Sequence, residues 1–215
     1  LIILIFFQNP AVDHSSKDAP QRALKEIAQQ PVFWVAILSA TVGYAVMSFI
    51  MTATPVSMHV IDGHSLENTK WVIQSHILAM FVPSLIAALI ISKLGTTRMM
   101  ITGLGAYILC IGIAYMGHHI GNYWVSLVLL GIGWNFLFIG GTTLLPQSYQ
   151  PSERFKVQAV NEFVVFGSQA IASLSAGWIV FTLGWERMLL FTLPIIFMQL
   201  IIIVKWAPKR NAAIG

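Results

Sequence analysis

The sequence is short of charge. Asp, Glu, Lys and Arg together make up 9% of it, where soluble domains carry about 25%. So little charge cannot coat a water-facing surface, which excludes an ordinary soluble domain. Cysteine is nearly absent: Cys110 alone lies inside an apolar run, so no intrachain disulfide can form and the thiol reads as a small apolar filler. Catalytic signatures are missing as well. There is no H-E-x-x-H, C-x-x-C or G-x-S-x-G, and the pieces "GLGAY", "GIGWN" and "GG" do not form the GxxxxGK of a phosphate loop. They read as helix-packing glycines, and no enzyme, cofactor or metal site is expected. The net charge of +4 does not indicate nucleic acid, because the basic residues are scattered between apolar runs instead of gathered in one patch.

What the chain has in excess is apolar residues, 57% of the total. A bilayer core about 30 Å thick needs roughly 20 such residues per helix. Six runs of that order occur. They are Val32–Met58, Trp71–Ile91, Met99–Met116, Tyr123–Leu145, Val157–Leu183 and Met188–Val204, here spans 1 to 6. The expected fold is therefore all-α and polytopic. The leading "LIILIFF", Leu1–Phe7, is too short to cross and has no basic n-region, so it reads as the tail of an earlier span. Residues 8–30 then form a linker, 31–206 a six-helix domain and 207–215 a tail.

If the spans alternate, ten Lys and Arg residues fall on the side of the linker, the Ser92–Arg98 loop, the Pro146–Lys156 loop and the tail. Only Lys70 and Arg187 fall on the other. The positive-inside rule makes the first side cytoplasmic. Within the linker, Leu24, Ile27 and Ala28 share one helical face between Pro20 and Pro31. Such a segment suits the membrane surface with Arg22 and Lys25 toward headgroups, or a solvated connector. His59, His64, His118 and His119 lie in or beside the two loops Val60–Lys70 and Gly117–Asn122 and read as exposed loop polarity.

One turn echoes another. Leu94-Gly95-x-x-Arg98-Met99 recurs as Leu183-Gly184-x-x-Arg187-Met188, the first between spans 2 and 3, the second between spans 5 and 6. Three spans apart, the two turns must face opposite sides of the membrane, as an inverted three-plus-three repeat predicts. The segment "ALIISKLGTTR", Ala88–Arg98, resembles the loop motif G-x-L-x-D-R-x-G-R-R of the major facilitator superfamily. Gly95 matches its second glycine and Lys93 its first arginine, while Ala88, Ile90 and Ser92 replace the first glycine, the leucine and the aspartate. Ser92 brings no carboxylate, so the motif's charge relay does not carry over. The basic linker and "SERFKVQAVNEF" before span 5 also resemble that family's C-terminal half. The resemblance implies helices seven to twelve of a transporter in a bacterial inner membrane, with linker and tail cytoplasmic. Its partners would be the lipid bilayer, a small-molecule substrate and the N-terminal six-helix half of the same protein, and its mechanism alternating access. An intramembrane enzyme, a scaffold subunit or a channel stand as alternatives.

A polar side chain in hydrocarbon is costly and points to protein or to a water-filled path. Span 1 carries Tyr44, Ser48, Thr52 and Pro55 on one face, span 4 Gly131, Asn135 and Thr142, and span 5 Glu162, Gln169, Ser173 and Gly177. Span 2 has Gln74 and His76, span 3 no strongly polar interior residue, and span 6 only Gln199. The resemblance implies that spans 1, 2, 4 and 5 line the path, which makes Tyr44, Gln74, Trp134, Asn135 and Gln169 the substrate-binding candidates. Ser48, Thr52, Thr142 and Ser173 read as bonds between helices. His76 and Glu162 are the candidate proton carriers, each with a structural alternative: a bond to a neighbouring helix for His76, a pair with Arg154 or Lys156 for Glu162. Ser92, Lys93, Gly95 and Arg98 are the loop-motif positions.

Overall fold

The structure, a computed structural model, describes residues 21–214, with side chains described as far as Ala207. Leu1–Phe7 and the linker up to Pro20 lie outside the described residues. The rest is helical, in the order α1 (Leu24–Ile27), α2 (Pro31–Pro55), α3 (Leu66–Phe81), α4 (Ser84–Leu94), α5 (Thr96–Tyr115), α6 (Ile120–Leu144), α7 (Arg154–Leu183), α8 (Trp185–Leu190) and α9 (Leu193–Ile214). No strand occurs among the described residues. Five helical stretches are long and apolar enough to cross a membrane, and the bent pair α3–α4 makes a sixth. These are the six expected spans.

α6 is the hub: it packs on α2, α3 and α5, while α2 also meets α7 and α9. Glycines let it do so. A Cβ on Gly131 would fall 2.8 Å from the His76 carbonyl of α3, and one on Gly141 2.7 Å from the Ala36 carbonyl of α2. On the α5 side a Cβ at Gly133 would strike the Tyr107 ring, and one at Gly140 the Met100 side chain. Tyr107 is fully buried at this crossing and donates its hydroxyl to the Gly43 carbonyl of α2 at 2.7 Å. Without a hydrophobic force between helices in lipid, such close backbone contact is what holds them.

Two prolines bend the frame. Pro55 ends α2 in a π-helical turn, Val56–Ile61, whose wider winding accommodates the ring and the missing N–H. Pro83 breaks span 2 by 46° between α3 and α4. Asn135 of α6 fills that break: its Nδ2 donates to the Met80 carbonyl at 2.7 Å and to Ser84 Oγ at 2.6 Å.

The two echoed turns have the same backbone. Gly95 adopts φ 80°, ψ 155° and Gly184 φ 83°, ψ 166°, and each both ends one helix and caps the next. A positive φ is the reason for glycine at both.

The linker differs from expectation. Its helix is only Leu24–Ile27, and Ile27 is fully buried against the domain instead of lying on a lipid surface. Arg22 does not reach for headgroups: Nη2 and Nε meet Glu153 at 2.7 and 2.9 Å, and Nη2 also donates to the Ser148 carbonyl at 3.2 Å. Gln30 Nε2 adds a bond to the Ser148 carbonyl at 2.8 Å, and Lys156 Nζ one to the Arg22 carbonyl at 2.6 Å. The described end of the linker, residues 21–30, is thus fastened to the connection between α6 and α7. At the other terminus α9 continues as helix through Ile214.

Candidate functional site

The polar faces of spans 1 and 5 meet. Tyr44 of α2 touches Phe166 of α7 with ring centroids 5.5 Å apart, and Thr52 Oγ1 lies 3.4 Å from Ser173 Oγ two turns further on. Glu162, Phe166, Gln169 and Ser173 follow one another at helical spacings of three and four, so one stripe of α7 faces one stripe of α2. Gln169 is half-buried and Glu162 exposed. Among the described residues neither has a hydrogen-bonding side-chain or backbone partner, and Glu162 lies within electrostatic reach of Tyr44. The expected pairing of Glu162 with Arg154 or Lys156 is absent: Arg154 Nε donates to Gln158 at 3.4 Å, and Lys156 holds the linker.

Aromatic rings gather at this seam. Tyr44 packs edge-on against Trp134 at 5.2 Å and Phe138 at 5.4 Å, and Trp134 and Phe138 stack at 5.2 Å with 10° between planes. Phe81, the last residue of α3, stands 6.0 Å from Trp134. Four helices, α2, α3, α6 and α7, therefore contribute to one cluster. It is closed at Trp134, 3% exposed, and open at Phe166 and Phe81, 49% and 59% exposed. The indole N–H of Trp134 is buried with no acceptor among the described residues, an uncommon state for a buried donor. Phe81 and Phe166 were not singled out in the sequence, although the spacing from Glu162 to Ser173 puts Phe166 on the polar stripe.

The remaining candidates are placed elsewhere. Asn135 is 1% exposed and holds the break in span 2. Gln74 is exposed on α3 without a hydrogen-bond partner among the described residues. His76 is fully buried and its Nδ1 donates to the Leu127 carbonyl of α6 at 2.8 Å, leaving Nε2 as an acceptor with no partner. The structure thus gives it the helix-bridging bond that was one of its two readings. Gln199 donates to Ser39 Oγ at 2.8 Å, joining α9 to α2. Ser92 bonds the Leu89 carbonyl of its own helix at 2.9 Å, and Lys93 and Arg98 are exposed and form no ion pair among the described residues.

A bundle of six spans, with four helices converging on a half-open cluster and turn geometry repeated across the bundle, defines a polytopic helical membrane domain. The profile of the Major Facilitator Superfamily matches residues 63–214, and the chain belongs to that family. It is 37% identical over 218 residues to the riboflavin transporter RfnT of Brucella anthropi, an alignment covering 99% of this chain and 54% of that protein. It is also similar to two uncharacterized MFS-type transporters of Bacillus subtilis. YddS is 37% identical over 63% of this chain and 31% of its own length; YdeG is 34% identical over 77% and 38%. The chain thus spans about half the length, or less, of these relatives. No solved structure matches it significantly.

Proposed function

We propose that this chain is the C-terminal half of a secondary transporter that carries a flat, conjugated ring solute such as riboflavin across the membrane by alternating access. The observation that carries the reading is the Tyr44–Phe81–Trp134–Phe138–Phe166 cluster at the seam of four helices. Aromatic faces and edges bind planar rings by stacking, at about 1–3 kcal/mol per ring. Gln169 and Gln74 stand on two of the same helices as donors and acceptors for ring carbonyls and nitrogens. The relative named as a riboflavin transporter supports the solute class. In this reading the linker face is cytoplasmic, the membrane is the bacterial inner membrane, and an N-terminal half supplies the opposite wall.

Flavin fluorescence tests it directly in the full-length protein. Riboflavin should be quenched on binding, and Phe166→Ala, at a half-exposed position that leaves the packed core alone, should weaken binding about tenfold or more. Wild-type affinity in Phe166→Ala and in Tyr44→Leu together would sink the proposal.

We further propose coupling to protons through Glu162, an exposed carboxylate on the same stripe, with His76 the second candidate through its free Nε2. Glu162→Gln should retain facilitated exchange of solute while losing uphill accumulation driven by a pH gradient. Undiminished accumulation in both Glu162→Gln and His76→Ala would rule out either as the carrier.

A further inference from the structure

At the face opposite the linker, three connections converge on one imidazole. His118, in the turn between α5 and α6, places Nδ1 2.9 and 2.8 Å from the two carboxylate oxygens of Asp62, which follows the π turn. Its Nε2 lies 2.7 Å from Glu186 Oε1, in the first turn of α8. A carboxylate only accepts, and a neutral imidazole has a single N–H. Both contacts are hydrogen bonds only when the ring carries both protons.

The surroundings are otherwise fixed. Tyr123 donates its hydroxyl to Asp62 at 2.6 Å and so receives the Ser57 hydroxyl, also at 2.6 Å. His64 Nε2 donates to the His118 carbonyl at 2.7 Å, and His59 Nδ1 to the His64 carbonyl at 2.8 Å. Asp62, Tyr123, His64 and Glu186 are the titratable groups that face His118 from the packed elements. Asp62 keeps Tyr123 whatever the charge on the ring, whereas Glu186 has no other side-chain partner among the described residues.

We propose that His118, held as an imidazolium between Asp62 and Glu186, is a pH-operated clasp that ties the ends of α2 and α7–α8 to the α5–α6 turn and opens on the Glu186 side when the ring loses a proton. The two helices it joins, α2 and α7, are those whose stripes meet at the aromatic cluster. Closing the clasp holds that end of the seam shut, and opening it frees the α7–α8 tip to move. The groups form no metal site: among the described residues no cluster has the geometry to hold an ion.

Burial works against the charged ring, but the bonds to Glu186 and Asp62 outweigh it and raise the His118 pKa above the ordinary histidine value. A group raised in the folded state contributes fully below its unfolded pKa, about 6.5 for histidine. The contribution is lost as pH rises through the higher folded value. The clasp is therefore closed below the ordinary histidine value and opens as pH rises through the raised one.

The test does not depend on any solute. In the full-length protein in nanodiscs with ¹⁵N-labelled histidine, the His118 resonance should titrate above the ordinary histidine value, and Glu186→Gln should lower its midpoint. In thermal unfolding at a pH below that midpoint, His118→Gln and Glu186→Gln should each lower the melting temperature by about 3 °C, with no further loss in the double variant. Well above the midpoint Glu186→Gln should have no effect. A His118 midpoint at the ordinary value, or an equal effect of Glu186→Gln at both pH values, overturns the clasp; if His118→Gln does not fold, Glu186→Gln alone decides.

Discussion

Asn135 holds the Met80 carbonyl and the Ser84 hydroxyl at the break in span 2. A proline inside a span withdraws an N–H and leaves helix carbonyls in search of a donor, which in hydrocarbon must come from protein. Asn135→Leu keeps the branched shape and removes the donor, so it should cost about 1–2 kcal/mol. The check is the melting temperature of the purified protein, and an unchanged value would show the two bonds to be idle. The chemical need at such a residue was legible in the sequence: a deep amide must have partners. The identity of the partners was not, because Met80 and Ser84 lie more than fifty positions away. Arg22 makes the same point. Its charge placed the linker on one face, yet its partner, the fully buried Glu153, lies 131 residues along the chain. His118 extends it further: a loop histidine reads as solvent-exposed polarity until two carboxylates are found on either side of it.

At the level of the element, α6 works because its bare glycine faces admit three neighbours at backbone contact. Gly133→Ala puts a methyl group into the Tyr107 ring and 2.9 Å from the Gly103 carbonyl, where both neighbours are buried and neither can yield freely. Overpacking of this kind costs about 1–3 kcal/mol. Gly105→Ala in α5, whose added Cβ meets nothing within 4 Å, is the control and should be neutral or stabilising. Equal melting temperatures for the two variants would contradict the close crossing. Helix limits were legible to within about five residues from apolar run length, except in span 6, which is divided into α8 and α9 and runs on to Ile214, and the packing role of these glycines was legible as well. Which neighbour each glycine admits was not, since α6 is apolar nearly all round and its pattern singles out no face. The shortness of the linker helix was also hidden, because its last residue, Ile27, is held by burial in the domain, a tertiary contact that the local pattern does not record.

On the scale of the whole molecule, much of the apolar surface stays open. Phe155, Phe163 and Leu174 on α7 are 85%, 81% and 85% exposed, and Leu85 on α4 is 83% exposed. In water such faces would drive aggregation, whereas lipid or a second apolar domain covers them at no hydrophobic cost. The number of spans, their membrane setting and the family followed from the sequence alone, because hydropathy and local turn chemistry act along the chain and each span satisfies its backbone within itself. The like turns at Gly95 and Gly184 belong to the same class, since a positive φ is a local demand that glycine announces. Only the tertiary structure decided that the stripes of α2 and α7 face each other, that aromatic rings from four helices meet there, and that His118 lies between Asp62 and Glu186. Each of these depends on the rotation of one helix about its axis relative to another, which side-chain packing sets and run length does not record.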